Sequence, residues 1–116
     1  MHTNKILALN TRVDGQPQTK LAALADGVFV GTLDVMLESR ISACIRGLWV
    51  EPCFRLQGIG GKLLEVAEEL ARANGCKTLG MSVKRENVDA ALFYQNRGYH
   101  VAYEFGDGEM LMSKVL

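Results

Sequence analysis

The sequence predicts a single α+β domain, in which a mixed and mostly antiparallel sheet of about six strands packs against two main helices. Three observations predict this class. Short apolar runs separated by turn residues fill the first half of the chain, a stretch with helical spacing follows, and the last third contains a strand, a helix and a hairpin. With 116 residues and 48% apolar composition the chain can bury one core and not two, so residues 1–116 are assigned to one domain.

The first half of the chain is predicted to form strands. Three apolar runs are bounded by turn or charged residues: 20–25, 28–37 and 41–50. Asp26-Gly27, between the first two runs, is a strong signal for a two-residue hairpin turn. Upstream, residues 6–9 are predicted as a further strand, and the polar residues after them, through Asp14-Gly15-Gln16-Pro17, as a loop.

The spacing of the apolar positions changes after Pro52. Between residues 60 and 74 apolar side chains recur at helical spacing, which predicts an amphipathic helix that ends at Asn74-Gly75. The charged positions on its other side are Lys62, Glu65, Glu68, Glu69 and Arg72. We expect Lys62 and the acidic side chains to lie in solvent.

A strand, a second helix and a hairpin are predicted to follow. The strand covers residues 78–83, and Asn87 is the expected N-cap of a helix that continues to Arg97 before Gly98. The hairpin has strands at 99–105 and 109–115 and a turn at 106–108. Trp49 is expected to be a core or interface aromatic, and Met81, Met110 and Met112 are expected to be packing residues.

Charge and hydropathy exclude several classes of protein. The 13 basic and 13 acidic residues cancel, and no long run of either sign indicates a nucleic-acid or membrane-surface partner. The N-terminal apolar run is too short for a secretory signal, and no stretch approaches the roughly 20 apolar residues that cross a bilayer. We therefore expect a cytoplasmic protein.

The cysteines do not indicate a disulfide or a metal site. Cys44, Cys53 and Cys76 are odd in number and form no C-x-x-C pair. Only His2 and His100 could join them around a metal ion. No metal is expected.

The segment from Val50 to Leu64 carries the most chemical information. It runs from a strand through a turn into a helix, and its glycines at 58, 60 and 61 leave the helix N-terminus open to an anion. Taken alone, such a cluster is equally typical of a tight strand-to-helix turn. The dinucleotide fingerprint fails because Leu63 replaces its third glycine, and the nucleoside-triphosphate P-loop fails at Leu56 and Leu63.

The remaining pattern, R-x-x-G-x-G from Arg55 to Gly60, resembles the acyl-CoA-binding signature of the GNAT superfamily of N-acyltransferases. A second block agrees with it, because N-x-x-A-x-x-x-Y-x-x-x-G-[FY] is reproduced in the right order and at family spacing. Its residues are Asn87, Ala90, Tyr94, Gly98 and Tyr99. The resemblance covers the chain from about Thr19 to the C-terminus and implies a GNAT-like sheet.

The resemblance also implies a binding site for acetyl-CoA as co-substrate. Leu48, Trp49 and Val50 would lie at the splayed end of the fourth strand and pair with the pantetheine arm. The pyrophosphate would be held by backbone N–H groups around Gln57, Gly58, Gly60 and Gly61, with Arg55 beside them. Asn87 would contact the pantetheine or an ordered water, and Tyr94 would protonate or stabilise the departing CoA thiolate.

The implied reaction is acetyl transfer to a primary amine of a small molecule or peptide by direct attack. No Cys or Ser stands beside a His as a nucleophile. Some family members carry a base on the fourth strand, but Cys44 and Arg46 stand at the corresponding positions here. Water relay, an acceptor that arrives partly deprotonated, and five titratable side chains stay open as proton acceptors: Asp34, Glu38, Glu51, His100 and Glu104.

The N-terminal region departs from the family pattern. Family members usually insert two helices between their first two strands to wall the acceptor site, whereas this chain has only residues 11–18 there. Uncovered apolar sheet surface is often buried in a dimer, so we expect a homodimer. Two alternatives stay open: a non-catalytic acetyl-CoA sensor or scaffold, and an interaction protein that uses an exposed sheet edge.

Overall fold

The computed structural model describes residues 4–116, so His2 lies outside the described residues. Seven strands form one sheet in the order β1-β2-β3-β4-β5-β7-β6, and only β4 and β5 pair in parallel. The elements are β1 Asn4–Val13, β2 Gln16–Ala25, β3 Val28–Leu37, β4 Ser42–Val50, a 3₁₀ turn Pro52–Phe54, α1 Ile59–Ala73, β5 Thr78–Lys84, α2 Val88–Gln95, β6 His100–Glu104 and β7 Glu109–Val115. The α+β class is confirmed, with seven strands rather than about six.

The N-terminal hairpin corrects the predicted loop. β1 pairs with β2 from Asn4 with Ala25 to Val13 with Gln16, so the loop prediction through Pro17 was wrong. Asp14 and Gly15 form the connection with φ of 50° and 78°, which suits a two-residue turn between twisted strands. β1 is exposed at almost every position, and therefore lacks the apolar alternation that would identify it.

One face of the sheet packs against both helices. Leu21, Leu33 and Leu63 are 0% exposed, and they join strands β2 and β3 to α1. α2 lies beside α1 and contributes Tyr94 to the same core cluster. As expected, Met81, Met110 and Met112 are buried packing residues.

The opposite face of the sheet, called the open face below, carries no helix among residues 4–116. Strand register places on it the side chains that alternate with the core residues, including Leu7, Ala22, Thr32 and Trp49. Trp49 is 42% exposed, so it is not a core residue. No helix in the described range is long and apolar enough to span a membrane.

Glu68 corrects the expectation that the acidic residues of α1 lie in solvent. It is 8% exposed and accepts hydrogen bonds from the Tyr99 hydroxyl at 2.8 Å and the Lys114 ammonium at 3.1 Å. Glu65 and Glu69 are exposed, as expected. Helical spacing alone could not distinguish Glu68 from its neighbours, because its partners are distant in sequence: Tyr99 precedes β6, and Lys114 lies in β7.

Candidate functional site

A cleft opens in the sheet where β4 and β5 separate. The two strands pair only from Ser42 with Thr78 to Cys44 with Gly80, and both continue beyond that point. The edge of β4 that faces β5 therefore has unpaired backbone groups after Cys44, which can bind an extended amide-bearing ligand as a strand would. Leu48, Trp49 and Val50 lie in this unpaired part, where the sequence placed them.

A bulge bends β4 within the cleft. Its register with β3 shifts between Thr32 and Asp34, and Gly47 adopts φ of 65°. Gly47 and Leu48 consequently have no paired residue on β3. Such a bulge changes the direction of the strand and interrupts its regular pairing. The bulge therefore shapes the β4 side of the cleft.

The loop after β4 delivers an uncapped helix N-terminus to the end of the cleft. Gly58 is the N-cap of α1 in the left-handed conformation, with φ of 83° and no side-chain capping bond. The first helical bond runs from Lys62 N to Gly58 O, so the N–H groups of Ile59, Gly60 and Gly61 have no partner within the helix. These donors and the helix dipole can attract an anion such as phosphate, and this surface is called the cradle below.

Arg55 and Gln57 shape this loop with their own hydrogen bonds. Arg55 Nε donates to Val50 O at 2.7 Å, and Gln57 Nε2 donates to Cys53 O at 3.4 Å. Glu51 accepts from Cys53 N at 3.0 Å. The Arg55 guanidinium is thus held at the end of β4.

Two residues that the sequence analysis missed form one wall of the cradle. The Phe93 ring lies 3.5 Å from the position that a Cβ on Gly60 would occupy, and Arg97 Nη2 lies 2.9 Å from that position on Gly61. The Arg97 guanidinium stacks 3.9 Å from the Phe93 ring centroid. In the sequence, Phe93 stands one residue before Tyr94 of the motif and Arg97 three residues after it. That spacing does not predict a contact with the loop.

α2 presents Asn87 and Tyr94 as the second block of the motif. Asn87 accepts a hydrogen bond from Ala90 N at 3.2 Å, which confirms it as the N-cap. The Tyr94 ring is 8% exposed and makes edge contacts with Phe93 and Tyr99. Burial raises the pKa of Tyr94 to about 12, so its hydroxyl keeps its proton at neutral pH.

The five candidate proton acceptors lie in different parts of the structure. Glu51 caps the 3₁₀ turn, Glu104 pairs with Arg85 at 3.2 Å, and His100 is exposed on β6. Burial, followed by a hydrogen bond with Glu38, raises the pKa of the Cys44 thiol to about 12, so the thiol stays protonated. Glu38 is exposed after the end of β3 and interacts with Cys44, and Asp34 lies at the centre of the open face.

The described residues, 4–116, contain no group of three His, Cys, Asp or Glu side chains that could hold a metal ion. The same range contains three free cysteines, of which Cys44 is half-buried, Cys53 is exposed and Cys76 is buried.

Comparison with known proteins gives a consistent result. Residues 3–99 match the model of the acetyltransferase (GNAT) family. The uncharacterised N-acetyltransferase YhfO of Bacillus subtilis (strain 168) is 31% identical over 97 residues, which cover 78% of this chain and 64% of YhfO. This chain is thus similar to somewhat less than two thirds of that relative.

Two solved structures resemble the fold. The PaiA N-acetyltransferase from Thermoplasma acidophilum, in complex with coenzyme A, has a TM-score of 0.80 and 25% identity, with 85% of this chain and 61% of that chain covered. A GNAT family acetyltransferase from Elizabethkingia anophelis with acetyl-CoA bound has a TM-score of 0.82 and 16% identity, with 97% of this chain and 98% of that chain covered. The second likeness concerns the fold alone.

Proposed function

The chain belongs to the acetyltransferase (GNAT) family, and from that premise we propose that it transfers an acetyl group from acetyl-CoA to a primary amine of a small molecule or peptide. The observation that carries the proposal is the continuity of the cleft between β4 and β5 with the uncapped N-terminus of α1. The unpaired edge of β4 can bind an extended amide-bearing arm, and the N-terminus of α1 can bind phosphate. Acetyl-CoA has both groups and supplies the reactive thioester.

We assign to these residues the binding roles that the family resemblance implies. The unpaired edge at Leu48, Trp49 and Val50 would hold the pantetheine arm, as in the family. The N–H groups around Gln57, Gly58, Gly60 and Gly61 would hold the pyrophosphate. Arg55 and Arg97 would add positive charge at the cradle, and Asn87, the N-cap of α2, would contact the pantetheine or an ordered water.

The chemistry requires two proton movements. An alkyl ammonium with a pKa of roughly 10.4 must lose a proton before its nitrogen can attack, and a thiolate with a pKa near 8.5 must be stabilised as it leaves. Tyr94 is suited to the second task as a hydrogen-bond donor, because burial raises its pKa to about 12 and its hydroxyl therefore stays protonated at neutral pH. Since such a hydroxyl is a weak acid, it would pass its proton to the sulfur only as it regains one from the positively charged nitrogen of the new amide.

Release of CoA thiol tests the proposal directly. The protein is incubated with acetyl-CoA and n-butylamine, spermidine, glycine or trialanine, and free thiol and acetylated product are both measured. Amine-dependent release supports the transferase, and acetyl-CoA binding without turnover would favour the sensor alternative. Absence of binding would contradict both.

Replacing Tyr94 with phenylalanine is expected to lower kcat about 100-fold, because the general acid is removed while the buried ring is kept. The dissociation constant for acetyl-CoA should stay within about twofold, because the binding groups are backbone atoms and other side chains. Tyr103→Phe is the matched control, since Tyr103 is 60% exposed and is expected to retain native kcat. Native kcat in the Tyr94 variant would exclude this role.

We further propose a cytoplasmic homodimer. Leu7, Leu9 and Val13 on edge strand β1 are 48%, 66% and 44% exposed on the open face, and burying such a strip stabilises association. Sedimentation velocity should show a dimer that Leu9→Lys dissociates. Val115→Lys, at a residue 74% exposed on β7, should leave the dimer intact. A monomeric native protein at every concentration would contradict the proposal.

A further inference from the structure

Asp34 lies on the open face beside the start of the cleft. It belongs to β3, and register places it across from Lys20 of β2 and Arg46 of β4. Arg46 lies just past Cys44, the last β4 residue that pairs with β5. The carboxyl group of Asp34 is therefore separated from the cleft only by the width of β4.

The carboxylate reaches over the bulge of β4. Asp34 Oδ2 lies 3.9 Å from the position that a Cβ on Gly47 would occupy, and Gly47 has no side chain to fill the intervening space. The Asp34 side chain is only 25% exposed. A small group bound above Gly47 would thus touch a carboxylate oxygen on one side and the edge of the cleft on the other.

The charges around Asp34 leave one of its oxygens available. Oδ1 is out of contact with solvent and has an ion-pair contact with Lys20 Nζ at 2.8 Å, without the alignment of a hydrogen bond. Arg46 directs Nη2 to Met36 Sδ at 3.1 Å. The remaining titratable neighbours on this face are Cys44 and Glu38, which interact with each other.

We propose that Asp34 binds the ammonium group of the acceptor through Oδ2 and accepts the proton that must leave before the nitrogen attacks. This inference rests on the proposed acetyl transfer. One of the three ammonium protons passes to Asp34 before the C–N bond forms. As the C–S bond breaks, Tyr94 gives its proton to the CoA sulfur and regains the second from the nitrogen, and the third stays on the amide nitrogen. Asp34 then returns its proton to solvent.

This assignment also defines the acceptor class. A carboxylate beside the cleft recognises a cationic primary amine, and the absence of a covering helix among residues 4–116 leaves the approach open to an acceptor of considerable size. An amine that is neutral in solution gains nothing from Asp34. The acceptor is thus a primary ammonium compound or a chain terminus.

The test compares native protein, Asp34→Asn and Glu38→Gln with the best amine of the panel above. We expect kcat/KM for the amine to fall about 100-fold in Asp34→Asn, with acetyl-CoA affinity and circular dichroism unchanged. Glu38→Gln should stay within about twofold of native, because Glu38 is an exposed carboxylate after the end of β3 and lies outside the acceptor contact.

The kinetics of the folded protein distinguish a catalytic carboxylate from a structural one. Asp34→Asn should lower kcat/KM for the amine while acetyl-CoA affinity stays native, whereas loss of a purely structural carboxylate would lower stability and leave the rate of the folded protein unchanged. Native kcat/KM in Asp34→Asn would overturn this inference alone. Failure of the native protein to acetylate any amine would overturn the proposed function and this inference with it.

Discussion

Replacing Gly60 with glutamate is expected to weaken acetyl-CoA binding at least about 100-fold. A carboxylate about 5 Å from a phosphate costs roughly 3 kcal/mol at an effective dielectric constant near 20, which corresponds to that factor in affinity. Gly60 is in the first turn of α1, where an acidic side chain stabilises the helix by interacting with its dipole. Loss of binding would therefore come from the anion and not from unfolding.

Two controls at the same position separate charge from size. Gly60→Gln introduces a side chain of the same length without the charge and should bind more tightly than Gly60→Glu. Gly60→Ala should bind almost as the native protein does, because its Cβ would lie 3.5 Å from Phe93 and 3.7 Å from Val50, which are ordinary contacts. Calorimetric titration gives all three affinities, and equal binding by the Glu and Gln variants would contradict phosphate at this cradle.

Replacing Glu68 with alanine is expected to lower the free energy of unfolding by about 2–3 kcal/mol. Its carboxylate receives hydrogen bonds from Tyr99 and Lys114, and the side chains of Glu68 and Lys114 are 10% and 27% exposed. The variant would leave a buried hydroxyl and a half-buried ammonium without their acceptor. Urea denaturation measures the loss.

Matched variants on the same helix define the origin of this effect. Glu68→Gln keeps an acceptor for Tyr99 and removes the charge opposite Lys114, so a smaller loss of about 1 kcal/mol is expected. Glu65→Ala changes an exposed side chain one turn away and should fall within about 0.5 kcal/mol of native. If Glu68→Ala were as stable as Glu65→Ala, the buried network would contribute nothing to stability.

Local rules were sufficient for much of the fold. The apolar period of α1, the Asn87 cap and the Asp26-Gly27 turn depend on residues close together in sequence, and the structure contains all three. The same rules failed for β1, because its partner β2 supplies the backbone bonds that stabilise it while its side chains stay exposed. Asp14-Gly15 is typical of a hairpin turn, but the polar residues on both sides of it indicated a loop and not two paired strands.

By itself, the sequence determined the family and the glycine-rich turn, because both depend on residue type at short spacing. Only the tertiary structure decided that Glu68 is buried, that Phe93 and Arg97 flank the cradle, and that Asp34 reaches over Gly47. Such contacts join segments far apart in the chain, as the sequence separation of 31 between Glu68 and Tyr99 illustrates. Burial and charge pairing depend on which distant strands meet, and no local pattern encodes that.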